Sequence, residues 1–165
     1  MTNAASPAPI VVGTDGSPAS GQAVRFALQE SQLRGSGLRA VCAYDFTARY
    51  SGFERPTASG FYDLDTQLRD VTLEAVSKTL EEAREQVGGA PVEVEIRVEQ
   101  GRPSQVLLDA SKDACLLVGG SRGSGAWGRL PLGSTSTEVV HHAHLPVVVV
   151  PVEPGRPPGD AQAME

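Results

Sequence analysis

Short apolar runs alternate along this chain with segments whose apolar residues recur every three to five positions. That alternation constrains the fold more than any other feature, because a buried strand reads as a continuous apolar run and a helix as a period of 3.6. Ile10-Val11-Val12 is such a run, stopped by Gly13. Ser17-Pro18 then supplies an N-cap followed by proline at the first helical position. Ala23, Val24, Ala27 and Leu28 keep helical spacing, which predicts a helix over 18–34 ended by Gly35 and Gly37. A second strand is predicted over 38–44. Leu68, Val71, Ala75, Leu80, Ala83 and Val87 predict a long amphipathic helix over 62–87. Val92, Val94, Ile96 and Val98 alternate with Glu93, Glu95 and Arg97, the pattern of a half-exposed strand at a sheet edge. Gly101-Arg102-Pro103 opens a shorter helix that runs through Lys112, and residues 115–118 read as a buried strand. Thr135 and Glu138 have capping-box spacing at a helix starting around Ser134, and residues 146–150 form the last strand. Parallel neighbours need crossovers, so strands alternating with helices predict a single doubly wound α/β domain, a parallel sheet with helices on both faces.

The domain is expected over 9–152. Residues 1–8 and 153–165, rich in Ala, Pro, Gly and other small or polar residues, read as disordered tails. Residues 45–61 lack any period and read as a long loop. The 165 residues carry a net charge of -6, which argues against sequence-independent nucleic-acid binding. No basic segment followed by an apolar one opens the chain, and no apolar run approaches the roughly 20 residues that span a bilayer. A cytoplasmic protein with no membrane contact is expected. Cys42 and Cys115 sit inside apolar runs and are expected as buried core thiols.

In open parallel sheets, ligands bind beyond the carboxyl ends of the strands where the strand order reverses. Three segments reach such ends: Gly13-Thr14-Asp15-Gly16-Ser17, Gly101-Arg102-Pro103 and Gly119-Gly120-Ser121-Arg122-Gly123. Six of the 18 glycines fall within residues 119–133. Glycine permits positive φ and close approach of a ligand to backbone N–H groups, the requirements of an anion nest. Ser134 and Ser136 stand at the following helix N-terminus, which favours phosphate, and Arg122 and Arg129 could add charge-assisted contacts. A flexible surface loop with an ordinary N-cap is the alternative. A Walker A loop fails because Ser134 occupies the position of its lysine, and the G-x-G-x-x-G fingerprint is missing after the first strand. Residues 119–123 fit G-x-S-x-G literally, but Gly125, Gly128 and Pro131 forbid the helix that a nucleophile elbow requires.

Asp15 either contacts a ligand or complements a helix N-terminus. His141, His142 and His144 end a helix, where capping or partner contact is favoured over metal binding. Trp127 is expected to pack or to cover phosphates. Tyr44, Phe46, Tyr50, Phe53, Phe61 and Tyr62 form either a roof over a base or a hydrophobic plug.

The spacing Gly120-x2-Gly123-x9-Gly133-Ser134 resembles the G-2x-G-9x-G-[ST] pattern of ATP-binding universal stress proteins. The opening Ile10-Val11-Val12-Gly13-Thr14-Asp15-Gly16-Ser17 and the ending His144-Leu145-Pro146-Val147-Val148-Val149-Val150 are similar to that family too. The resemblance implies a five-stranded parallel sheet in the order 3-2-1-4-5, an adenine nucleotide at the switch point, and a homodimer through Val147, Val148, Val149 and Val150. By position, Gly13, Thr14 and Asp15 would line the nucleoside and Ala43 would touch adenine through its backbone. Gly119, Gly120, Ser121, Arg122 and Gly123 would surround ribose and phosphates, and Gly133, Ser134, Thr135 and Ser136 would hold the phosphates. Asp15 would also ligate Mg²⁺ with the nucleotide. Gly119 departs from the family, in which many members carry a larger apolar residue there. The implied function is an ATP-binding stress regulator or sensor with at most slow hydrolysis. The alternatives are an AMP or cyclic AMP binder, a hydrolase built on Ser121, and a dimerisation module without a ligand.

Overall fold

A computed structural model describes residues 6–45, 58–122 and 132–152. The elements are β1 (Ile10–Gly13), α1 (Gly21–Arg34), β2 (Leu38–Tyr44), α2 (Ala58–Val87), β3 (Val94–Gln100), α3 (Pro103–Ala110), β4 (Leu116–Gly120), α4 (Ser134–His142) and β5 (Val147–Val150). The five strands pair in parallel in the order β3-β2-β1-β4-β5. The doubly wound fold and its strand order are therefore as expected, and the alternating Val-Glu strand β3 does lie at an edge.

Side chains of a strand point to opposite faces in turn, which divides the apolar runs between two cores. Ile10, Val12, Ala40 and Val118 pack with Val24, Leu28, Val76 and Leu80 of α1 and α2. Val11, Val41 and Leu117 pack on the other face with Val106 and Ala110 of α3 and Val139 of α4. A central strand covered on both sides needs no polar alternation, which is why β1 and β4 read as continuous runs.

Several boundaries differ from those expected. The helix predicted over 18–34 begins with a 3-10 turn, Pro18–Ser20, capped by Ser17, and α1 proper starts at Gly21. Helix α2 starts at Ala58, four residues before its apolar period becomes visible, so the predicted loop 45–61 is helical at its end; residues 46–57 lie outside the described residues. Strand β3 starts at Val94 rather than Val92, and α3 stops at Ala110. Strand β4 starts at Leu116 and continues through both glycines, Gly119 and Gly120. The predicted capping box does not form. Gly133, which has no side chain to cap with, is the N-cap of α4, while Glu138 reaches away from the helix start. Cys42 is buried, whereas Cys115 lies just before β4, is half-buried, and donates its thiol to the Ala8 carbonyl at 3.2 Å; both are free.

Arg39 is a buried cation that periodicity does not announce, since it stands inside the apolar run of β2. Its guanidinium donates to Glu95 at 2.8 Å, to Asp113 at 2.6 and 3.2 Å and to the Ala110 carbonyl at 2.7 Å. This fork binds β2, β3 and the turn after α3 at the amino end of the sheet. No helix among the described residues is long and apolar enough to cross a membrane. Residues 1–5 and 153–165, assigned above to the tails, lie outside the described residues.

Candidate functional site

Strand order reverses between β1 and β4, because α1 and α2 cover one face and α3 and α4 the other. In open parallel sheets such a reversal places the ligand crevice beyond the carboxyl ends of the two strands, here β1 and β4. Val12 pairs with Val118, so the same register carries Gly13 and Gly119 to neighbouring positions one step further on. Ala43 stands near the end of β2, beside β1, and Gly120 at the end of β4. The fold thus gathers the candidate residues of β1, β2 and β4 at one rim. Gly123 and Trp127 lie outside the described residues.

The β1–α1 turn is held from within. Thr14 is buried; its N–H continues the ladder to the Val41 carbonyl at 3.0 Å, and its hydroxyl bonds the Ser20 hydroxyl at 2.7 Å. Asp15 Oδ1 accepts the Ser17 N–H at 3.0 Å and the Ser17 hydroxyl at 2.5 Å, an Asx-type turn that fixes the carboxylate at the rim. Gly16 has φ +73°, and a Cβ there would stand 2.8 Å from the Cβ of Ala75 on α2. Thr79 of α2 also donates to the Gly16 carbonyl at 3.2 Å. Helix α2 therefore presses on this turn, and only glycine fits beneath it. Burial, with a contribution from the Asp15 carboxylate, pushes the Cys42 thiol up to about 11 and keeps it protonated and inert at neutral pH.

The β4 side is tied to β5. Ser121 N–H donates to the Val150 carbonyl at 2.8 Å, and the Ser121 hydroxyl accepts the Val152 N–H at 3.0 Å. Gly133 N–H donates to the Ser121 carbonyl at 2.7 Å, and the Ser136 hydroxyl donates to the Gly120 carbonyl at 2.6 Å. These bonds seat the start of α4 on the end of β4. Thr137 N–H, bonded to the Gly133 carbonyl at 3.0 Å, ties the end of the first turn to the N-cap. The N–H groups of Ser134, Thr135 and Ser136 precede it, at the positive end of the helix dipole and with no side-chain cap at Gly133.

Two reasons for glycine are expected here, positive φ and close approach of a ligand. The first does not hold at the described positions. Gly119, Gly120 and Gly133 are not among the residues with positive φ. A Cβ at Gly119 would meet nothing within 4 Å, and at Gly120 and Gly133 its nearest neighbours would be at 3.4 and 3.6 Å. Neither backbone conformation nor packing within the protein demands glycine at Gly119. What glycine provides is open space beside the uncapped end of α4.

Tyr44, at the end of β2, donates its hydroxyl to Asp65 of α2 at 2.9 Å, and burial together with that carboxylate holds the phenol above its ordinary range. Tyr62 is exposed on α2, while Phe46, Tyr50, Phe53 and the side chain of Phe61 lie outside what is described. His141 and His142 occupy the last turn of α4, and His144 follows them, at the end of the sheet opposite the crevice. Glu138 is the residue that sequence reasoning misassigned: one oxygen accepts from Arg102 and the other from the Ser104 hydroxyl. Its capping-box spacing concealed this contact, because a sequence carries no sign of which neighbour wins a carboxylate.

Comparison with known proteins agrees with this architecture. The family profile described as universal stress protein family matches residues 8–151. A universal stress protein of Mycobacterium tuberculosis is 36% identical over 164 residues, covering 99% of this chain and 54% of the relative. The chain spans about half the length of the curated relatives it matches. Among solved structures, the universal stress protein UspA from Lactobacillus plantarum superposes with a TM-score of 0.69 at 23% identity, over 88% of this chain and 99% of that one. A universal stress protein solved in complex with cAMP gives 0.60 at 24% identity, over 90% of this chain and 99% of that one. With the profile covering nearly the whole described fold, this chain belongs to the universal stress protein family.

Proposed function

We propose that this chain binds an adenine nucleotide in the β1/β4 crevice, with ATP as the leading ligand, and acts as a homodimeric sensor or regulator in the stress response. One observation carries the reading: among the described residues Gly119 has no need of glycine for its own fold, yet leaves open space at the end of β4, on which α4 starts from a glycine N-cap that has no side chain to cap the first-turn N–H groups. A phosphate chain satisfies such donors without requiring net positive charge on the protein. Gly13, Thr14 and Asp15 would line the nucleoside, and Ala43 would meet the base through its backbone. Gly119, Gly120, Ser121, Arg122 and Gly123 would surround ribose and phosphates, with Gly133, Ser134, Thr135 and Ser136 at the phosphate end. Mg²⁺ is commonly held by one or two carboxylates together with phosphate oxygens. The Asp15 carboxylate, fixed at the rim by Ser17, has the chemistry for that part.

Strand β5 has a neighbour on one side only, and its four valines are half-buried. An apolar edge strand of this kind favours pairing with a second copy. The similar stress protein solved with cAMP makes cyclic AMP the second ligand to be considered.

Equilibrium binding of labelled ATP, competed with AMP and cyclic AMP, tests the reading. Binding that is lost in Gly120→Asp and in Gly133→Asp supports it. ATP affinity equal to wild type in both variants removes the site.

A further inference from the structure

Glu138 is the only acidic residue of α4, whose sequence is STSTEVVHH. It stands four residues after the first helical residue, a rise of about 6 Å. An uncompensated carboxylate at that depth lies behind the N–H groups proposed to receive phosphate, where it would offset the positive end of the helix dipole and repel an anionic ligand. With Gly133 as N-cap, Glu138 stands beyond the N3 position from which a carboxylate closes a capping box, so it bears on the helix start through its charge.

The structure diverts it. Arg102, in the turn after β3, donates to one carboxylate oxygen, and Ser104, in the first turn of α3, donates to the other. Ser104 is buried at 5% exposure, so one half of the grip is anchored in the α3–α4 interface. Arg102 is largely exposed and supplies the compensating charge. Both carboxylate oxygens of Glu138 are thereby held at the start of α3.

We propose that Arg102 and Ser104 are positioning residues for the anion site: they hold the Glu138 carboxylate against α3 and neutralise it, so that its charge does not oppose a phosphate group at the N-terminus of α4. The inference rests on the nucleotide reading above. It assigns a use to the Gly101-Arg102-Pro103 turn in which Arg102 acts through Glu138 rather than on the ligand.

Titration calorimetry of the full chain with ATP, on wild type, Arg102→Ala, Glu138→Gln and the double variant Arg102→Ala/Glu138→Gln, tests it, with thermal melts confirming that each is folded. Arg102→Ala is expected to weaken ATP binding about tenfold. Glu138→Gln is expected to stay within threefold of wild type, and the double variant to recover to the same level, because the charge that Arg102 restrains is gone. A bridge that served only to hold α3 to α4 would be weakened in every variant, so Glu138→Gln would itself lose affinity and the double variant would bind no better than Arg102→Ala. An Arg102 that touches the phosphates directly would also leave the double variant as weak as Arg102→Ala. Either result overturns the inference, as does unchanged affinity in Arg102→Ala. A wild type that binds no ATP overturns the nucleotide reading itself, and that failure is read from the wild type alone.

Discussion

Replacing Gly119 with alanine separates the needs of the fold from those of a ligand. Glycine within a strand costs roughly 0.5–1 kcal/mol relative to alanine, through the entropy of the unfolded chain. At Gly119 the gain is unopposed, since φ is not positive and the new Cβ meets nothing within 4 Å. Gly119→Ala should therefore stabilise the domain by about 0.5 kcal/mol, a rise in Tm of roughly 1–2 °C for a chain of this length. The same methyl would occupy space assigned to the nucleotide, and overpacking a fitted site by one methyl costs about 1–3 kcal/mol. ATP affinity should fall about tenfold or more. Gly16→Ala gives the opposite pattern in stability. Its φ of +73° is unfavourable for alanine by roughly 1–2 kcal/mol. The 2.8 Å approach to the Ala75 Cβ adds a clash with a helix that cannot yield cheaply, for a total of about 2–4 kcal/mol. Urea unfolding and titration calorimetry read both variants. If Gly119→Ala loses more than about 1 kcal/mol, glycine is there for the fold. If it binds ATP like wild type, the space beside α4 is not the ligand's.

Three further outcomes follow from other parts of the molecule. Arg39→Ala should cost about 2 kcal/mol, below the usual loss for a buried pair because Glu95 and Asp113 are 49% and 64% exposed and regain water. The Arg39 guanidinium holds both carboxyls below their ordinary range. The wild-type advantage should thus be complete above the ordinary carboxylate values, about 4, and fade as pH falls below them; a gap that stays constant in urea melts down to about pH 3 contradicts the assignment. If the proposed homodimer forms through β5, Val149→Lys on that edge strand should make the protein monomeric in light scattering, with retained helix content by circular dichroism; a wild type that is itself monomeric contradicts the proposal. Iodoacetamide near neutral pH should alkylate Cys115 at least about tenfold faster than Cys42, whose buried thiol is pushed up to about 11; equal rates by mass spectrometry would show that Cys42 is not enclosed.

The fold was legible because its two periods are strong and mutually consistent. Residues 10–12 and 116–118 are apolar at every position, as strands covered on both faces must be, and the Val-Glu alternation of residues 92–98 marks an edge. Positions that depend on one particular neighbour were not legible. Gly16 and Gly119 are both glycine in sequence, yet one is demanded by Ala75 across the fold and the other by nothing among the described residues. Arg39 lies in an apolar run and gives no sign of the two carboxylates that meet it, because Glu95 and Asp113 come from 56 and 74 residues away. Helix α2 begins where residues 58–61 show no apolar period, so its first turn was read as loop.

The treatment of Glu138 bears on how an acidic protein could bind a polyanion. A net charge of -6 repels nucleotide at long range, but salt screens that repulsion within about 8 Å at physiological ionic strength. What remains decisive is the field inside the crevice. There the N-terminus of α4 supplies a positive dipole end, and the one carboxylate that α4 itself carries is paired with Arg102 and Ser104. The lysines are no substitute for this arrangement: the chain has only two, Lys78 midway along α2 and Lys112 after α3, each in an ion pair with a carboxylate of its own segment. A site made of backbone donors owes its strength to geometry, so it should tolerate the surrounding negative charge for as long as the start of α4 stays seated on β4. The bonds from Gly133 to Ser121 and from Ser136 to Gly120 provide that seat. On this reasoning Ser136 matters to the site through the position it gives the helix as well as through any contact with phosphate.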